Sequence, residues 1–134
     1  MAGERAPSIV VVLPFEVSPG RSELEAAAAE LRNAIVARLK KLSGLAVVAA
    51  SSLAGVERTG NSAEICALLG ADWLIEGGVK GYRDSLQLSI LMTRARDRAY
   101  VWGGLFGVEP TELERLSERA SDEVWDEIRR RMEE

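Results

Sequence analysis

The stretch LLGADWLIEGGVKGY, residues 68–82, decides how this sequence folds. An apolar run passes through Glu76 into two glycines and Lys80. A carboxylate, a glycine pair and a lysine so close together are typical either of a phosphate-binding loop or of a β-strand that carries glycines. The choice between these two structures bears directly on whether the protein is an enzyme.

The strand is the better interpretation of this stretch. A phosphate-binding loop places its glycines between a strand and a helix, so that backbone N–H groups face the anion. Here Lys80 is followed by Gly81 and then by a second strand-like segment, and no helix begins after the glycines. Within a strand, Gly77 and Gly78 indicate a bulge or a close approach of another part of the protein.

Upstream of this stretch, the pattern predicts two strands and two helices. Unbroken apolar runs at residues 8–15 and 45–50 are typical of strands that are buried on both faces. Apolar residues at steps of three and four, together with capping signals, predict helices over residues 22–42 and 61–70. Residues 16–22 and 51–60 are predicted to be loops.

Downstream, residues 85–93 alternate between apolar and polar side chains, which predicts a half-buried strand. The apolar face carries Leu86, Leu88, Ile90 and Met92, and the opposite face carries Gln87, Ser89 and Thr93. Another strand is predicted at residues 99–107, and a long final helix begins after Thr111.

The predicted fold is therefore α/β, with the element order β-α-β-α-β-β-β-α. Helical crossovers make the first three strands parallel, and short turns make the last three an antiparallel meander. Both arrangements fit one mixed five-stranded sheet with helices packed on it. We expect a single domain over residues 8–134, preceded by a disordered or artificial N-terminal stretch, residues 1–7.

Composition restricts the function of the 134 residues. A net charge of −4 disfavours nucleic acid as a partner, because nucleic-acid binders normally present a basic face. With no histidine and one cysteine, Cys66, we expect no metal, no cofactor and no catalytic residues. No apolar run is long enough to predict insertion into a membrane.

The central stretch resembles the TolB amino-terminal-like domain family, whose pattern is L-G-x-D, two apolar residues, then L-x-G-x-V and an alternating strand. The matching positions are Leu69, Gly70, Asp72, Leu74, Glu76, Gly77, Val79, Leu86 and Leu88. The first strand IVVVLPF, the second strand LAVVAA and Trp102 also resemble the family. The resemblance implies an accessory module of bacterial adenylate cyclases, winged-helix regulators and tetratricopeptide-repeat proteins, with no shared catalytic residues.

Two sets of residues are candidates for binding. Ser51 and Ser52 follow a parallel strand, at the edge where α/β sheets bind ligands, and Glu76 is the carboxylate of the central stretch. Trp125 either completes the core or is exposed for docking, and Arg83 is an interaction candidate in a turn.

The leading functional hypothesis is a non-enzymatic interaction or sensory module of a bacterial signalling or envelope system. The alternative is a regulatory domain that binds a small ligand at the carboxyl ends of the parallel strands, and a third hypothesis is an enzyme that uses Glu76 or Asp72. The expected partner is a protein or a neighbouring domain, and the chain is expected to be a monomer or weak homodimer. The cytoplasm is the expected location, with the periplasm as the alternative.

Overall fold

The computed structural model of the protein describes residues 8–18, 23–49, 70–82, 85–97, 99–109 and 112–132. Within these residues lie β1 (Ser8–Val12), β2 (Glu16–Val17), α1 (Glu23–Leu39), β3 (Leu45–Ala49), β4 (Trp73–Tyr82), β5 (Ser85–Arg94), β6 (Ala99–Val108) and α2 (Leu113–Met132). The helix predicted over residues 61–70 lies outside the described residues, apart from Gly70. The other predicted elements are found, with ends shifted by a few residues.

The sheet is mixed, and this confirms the predicted α/β architecture. Its strand order is β3-β1-β4-β5-β6, with β1 parallel to both β3 and β4, and with β4, β5 and β6 antiparallel in a meander. One addition to the predicted five strands is β2, which pairs in parallel with β4 at Gly78 and Val79. The chain after β1 thus stays beside β4, where a loop was predicted.

The main core lies between one face of the sheet and the two described helices. Fully buried side chains come from both layers: Val10, Val12, Ile75, Leu88 and Met92 from the strands, and Leu31, Ile35, Leu39, Leu116, Val124 and Ile128 from the helices. The predicted alternation in β5 is confirmed, except that Thr93 on the polar face is also buried. On the opposite face, Val11 and Leu74 form a second buried cluster.

The glycine pair in β4 lies in a regular strand. Pairing of β4 with β5 runs without a register shift from Trp73 to Tyr82, so the bulge considered for Gly77 and Gly78 is wrong. Close approach is confirmed at Gly77, where a Cβ atom would lie 2.8 Å from Cδ1 of Phe15. At Gly78 the nearest atom is the Ser89 hydroxyl oxygen, at an ordinary contact distance of 3.5 Å.

The bulge of this sheet occurs instead in β6. Met92 faces Trp102 while Thr93 faces Tyr100, so Val101 is the extra residue. The guanidinium of Arg131, in the last turn of α2, donates to the carbonyl of Val101 at 2.8 Å.

The same arginine is held by a carboxylate within the helix. Arg131 Nε donates to Glu127 Oε2 at 2.9 Å, and the Glu127 residue is 4% exposed. A buried carboxylate requires such a partner, because an unpaired charge away from water is costly. Glu127 thereby orients Arg131 towards Val101, and the end of α2 is attached to the edge strand.

Candidate functional site

Glu76 lies at the point where β1 separates from β4. The backbone pairing of β1 with β4 extends to Ile75, one residue earlier. Because neighbouring strand residues point to opposite faces, the side chain of Glu76 lies on the face away from the helices, where it is half-buried. Glu16 of β2 pairs with Gly78, so its carboxylate lies on this same face.

The environment of Glu76 raises the pKa of its carboxyl group. Partial burial is the larger cause, because loss of water disfavours the charged form, and the negative charge of Glu16 adds to it. A carboxyl group in this setting takes up a proton more readily than one in water. It is therefore suited to hydrogen-bonding a ligand or partner either as a donor or as an acceptor.

We expect Glu76→Gln to stabilise the protein slightly at neutral pH. The folded protein binds the Glu76 proton more tightly than the unfolded chain does. Protonated Glu76 therefore contributes its full share to the free energy of unfolding below the ordinary pKa of 4.5. That contribution is lost as the pH rises through the raised pKa of the folded protein. Thermal unfolding over a pH series should therefore show the largest gain for the variant above this window and little difference below it. A gain that grew as the pH fell would contradict the assignment.

Asp72, the second carboxylate of the central stretch, joins three strands. Its N–H donates to the carbonyl of Ile9 at 2.7 Å, and its Oδ2 accepts from the Ile9 N–H at 2.8 Å. Its own carbonyl accepts from the N–H of Ala95 at 2.9 Å. These contacts give Asp72 a structural role between β1 and the end of β5. An enzyme that uses Asp72 as an acid or base gains no support from this position.

Trp125 lies on the surface between the two helices and is half-buried. The guanidinium of Arg38 in α1 stacks on its ring, 5.1 Å from the centroid, and also bonds Asp122 of α2 at 2.9 Å. Trp125 is therefore neither fully buried in the core nor fully exposed for docking, since its ring contacts α1 and keeps an exposed part. Its role in docking stays a prediction.

The other predicted site residues, Ser51, Ser52 and Arg83, lie outside the described residues. In the parts of the chain that are described, no three potential metal-ligating side chains are grouped. The two described helices are also not apolar enough to cross a membrane.

A further surface was not anticipated from the sequence. Tyr100 and Leu105, both on β6, are 72% and 67% exposed and are the large hydrophobic side chains most accessible to water among the described residues. The available signal was the segment AYVWGGLFGV, ten residues without a charge. The exposure of these two side chains could not be predicted from the segment itself, because it depends on which part of the sheet other elements cover.

Comparisons with known proteins agree on the fold. No protein-family model matches the chain, and no curated protein matches it in sequence. Among solved structures, TolB from Acinetobacter baumannii aligns over 91% of this chain with a TM-score of 0.63 and 16% identity, and the aligned part is 28% of that TolB chain. Lipoprotein GNA1162 from Neisseria meningitidis aligns over 88% of this chain and 96% of its own, with a TM-score of 0.61 and 13% identity.

The C-terminal domain of LpoB from Escherichia coli aligns over 80% of this chain and 86% of its own, with a TM-score of 0.57 and 19% identity. At such low identity these likenesses establish the fold alone. They confirm the TolB-like fold that the sequence resemblance implied. The chain spans less than a third of the TolB structure, so TolB's activity as a whole does not transfer to it.

Proposed function

We propose that this chain is a non-enzymatic protein-interaction module of a bacterial envelope system. The observation that carries the proposal is that TolB, a lipoprotein and LpoB all share its fold over most of its length. Two further features support it. Asp72 is committed to backbone hydrogen bonds, and Glu76 is half-buried beside Glu16 on the sheet face away from the two described helices. Asp72 thus has a structural role, and two carboxylates without any histidine in the chain are only a weak signal of catalysis.

Capture of a partner from fractionated bacterial cells tests the proposal. We expect the immobilised chain to retain a specific protein from the envelope fraction and to lose it when Trp125 is replaced by alanine. Arg115→Ala on the same helix is the matched control, because the Arg115 side chain is 80% exposed and its loss removes little packing. Equal retention by both variants would show that Trp125 is not part of the interface.

Glu76→Gln separates the interaction module from an enzyme. The substitution keeps the shape and the hydrogen-bonding outline of the side chain, so partner capture should survive with a modest change. If Glu76 were a general acid or base, the same substitution would abolish turnover, because an amide cannot transfer the proton. A reaction that the native chain catalyses and the Glu76→Gln variant does not would overturn the proposal.

A small-ligand regulatory domain is the second candidate. It is favoured by the half-buried Glu76 at the point where β1 leaves the sheet, since open α/β sheets bind ligands at the carboxyl ends of their parallel strands. A thermal-shift screen against nucleotides and metabolites distinguishes the two functions. Stabilisation by one compound, abolished by Glu76→Gln, would favour the ligand-binding domain.

The envelope proposal also changes the preferred location. The fold likenesses include a protein named as a lipoprotein, which supports the periplasmic alternative and gives no support to the cytoplasm. An accessory role beside a cyclase, a winged-helix regulator or tetratricopeptide repeats is the finer form of the proposal, and it rests on the sequence resemblance. Sequence adjoining the chain in its native reading frame tests that role directly.

A further inference from the structure

We infer that two copies of this chain associate through the free edge of strand β6, which pairs antiparallel with the same strand of the second copy. Among the described residues, β6 is bonded to β5 on one side and is the last strand of the sheet. The pairing would continue the sheet from one molecule into the other across a two-fold axis. Such an interface is self-complementary, as a two-fold dimer requires.

The edge of β6 lacks the usual protection against pairing. Edge strands are normally short, charged or interrupted by proline, because their unpaired N–H and C=O groups attract other strands. β6 has ten residues, none of them charged, whereas β3 at the opposite edge has five. The bulge at Val101, whose carbonyl already accepts from Arg131, interrupts the start of the strand. The part of β6 that can pair with a second strand therefore runs from Trp102 onward.

The side chains of this run suit a close partner. Gly103 and Gly107 are exposed, and they leave room on this face of the sheet for side chains of a second strand that pairs with β6. Leu105, between them, is 67% exposed, and Tyr100, just before the bulge, is 72% exposed. Exposed apolar groups on an uncharged edge gain from burial against a second copy.

Charges at the two ends of β6 select the antiparallel self-pairing. Arg96 precedes the strand and Glu109 follows it, and both are exposed. Arg96 lies in the turn before β6, where the neighbouring Asp97 is paired with Arg94 at 2.7 Å. A two-fold axis near Gly103 brings this turn of one copy to the end of β6 in the other, where Glu109 lies. Each Arg96 then lies beside the Glu109 of the other copy, so the same attraction occurs twice. A parallel pairing would place like charges together instead.

Sedimentation equilibrium of charge-reversed variants tests this interface. Arg96→Glu and Glu109→Arg each replace two attractions by two repulsions, so we expect the dissociation constant of the dimer to rise about tenfold in either variant. An equimolar mixture of the two variants should dimerise as the native chain does, because each mixed dimer again pairs a carboxylate with a guanidinium at both ends of the interface. A mere folding role for these residues would not produce restoration on mixing.

Two controls complete the experiment. Lys41→Glu changes the net charge as Arg96→Glu does, but just after the end of α1, and it should leave dimerisation unchanged. Leu105→Lys places a charge inside the edge strand, and it should abolish the dimer both alone and in the charge-reversed mixture. Circular dichroism with thermal unfolding establishes that each variant is folded.

Several outcomes would overturn the inference. The inference is wrong if the native chain stays monomeric at every concentration. The edge of β6 would then pair with a strand of a different protein. A dimer that is undiminished in Leu105→Lys would place the contact on another surface. Failure of the mixture to recover, with both variants folded, would exclude the antiparallel arrangement.

Discussion

Replacement of Leu88 by alanine lowers the free energy of unfolding by about 2–5 kcal/mol, the range for large-to-small changes in a packed core. Leu88 is fully buried in β5, between Val79 of β4 and Phe106 of β6, which are its cross-strand neighbours and are themselves buried. Truncation leaves a cavity in the middle of the sheet face that packs against the helices. Chemical denaturation should show a lower midpoint with an unchanged slope.

Gln87→Ala is the matched control for this substitution. Gln87 is the preceding residue, is exposed, and points to the opposite face of the same strand. Its replacement should change the free energy of unfolding by less than about 0.5 kcal/mol. Comparable losses in the two variants would show that the two faces of β5 have been assigned the wrong way round.

Gly77→Val is expected to destabilise the protein by about 3 kcal/mol, at the upper end of typical overpacking effects. A Cβ atom at position 77 would lie 2.8 Å from the ring of Phe15, which is 7% exposed and part of the main core. The ring must move before any side chain fits. Valine's preference for strands is too small to offset that displacement.

Gly78→Val tests whether the loss at position 77 comes from the contact with Phe15 or from replacing any glycine of this strand. The position is next in the same strand, and a Cβ atom there meets Ser89 at an ordinary 3.5 Å. We expect a much smaller loss than at position 77, measured by thermal unfolding. In addition, Phe15→Ala combined with Gly77→Val should cost less than the sum of the two single changes, because Phe15→Ala removes the ring with which the new valine would clash. Additive losses would refute the contact between this ring and strand β4.

The architecture could be predicted because the order of strands and helices follows from patterns within short segments of the sequence. The alternation around Leu88 has the period of a strand with one buried face, and the apolar run before Pro14 has the composition of a strand buried on both faces. The close approach at Gly77 was predictable in kind. The atom responsible was not, because Phe15 reaches Gly77 only once β2 has paired beside β4.

The candidate site depended on information that is not local. The half-burial of Glu76 is a property of the folded sheet. The carboxylate of Glu16 lies on the same face because residues 16 and 17 form β2, a two-residue strand that the sequence pattern does not predict. The role of Asp72 likewise requires the parallel pairing of β1 with β4. The exposure of Tyr100 depends on which part of the sheet other elements leave uncovered, and no property of the ten residues of β6 determines it.

The bond between Arg131 and Val101 joins segments that are 30 residues apart in sequence. The last turn of a helix and the edge strand of a sheet are each segments that open readily in isolation. Here one guanidinium spans both, and it is also fixed by Glu127. Local opening of either segment breaks a contact of the other, so the two form one cooperative unit. Their backbone amides consequently exchange hydrogen with solvent at coupled rates, as those of a single element would.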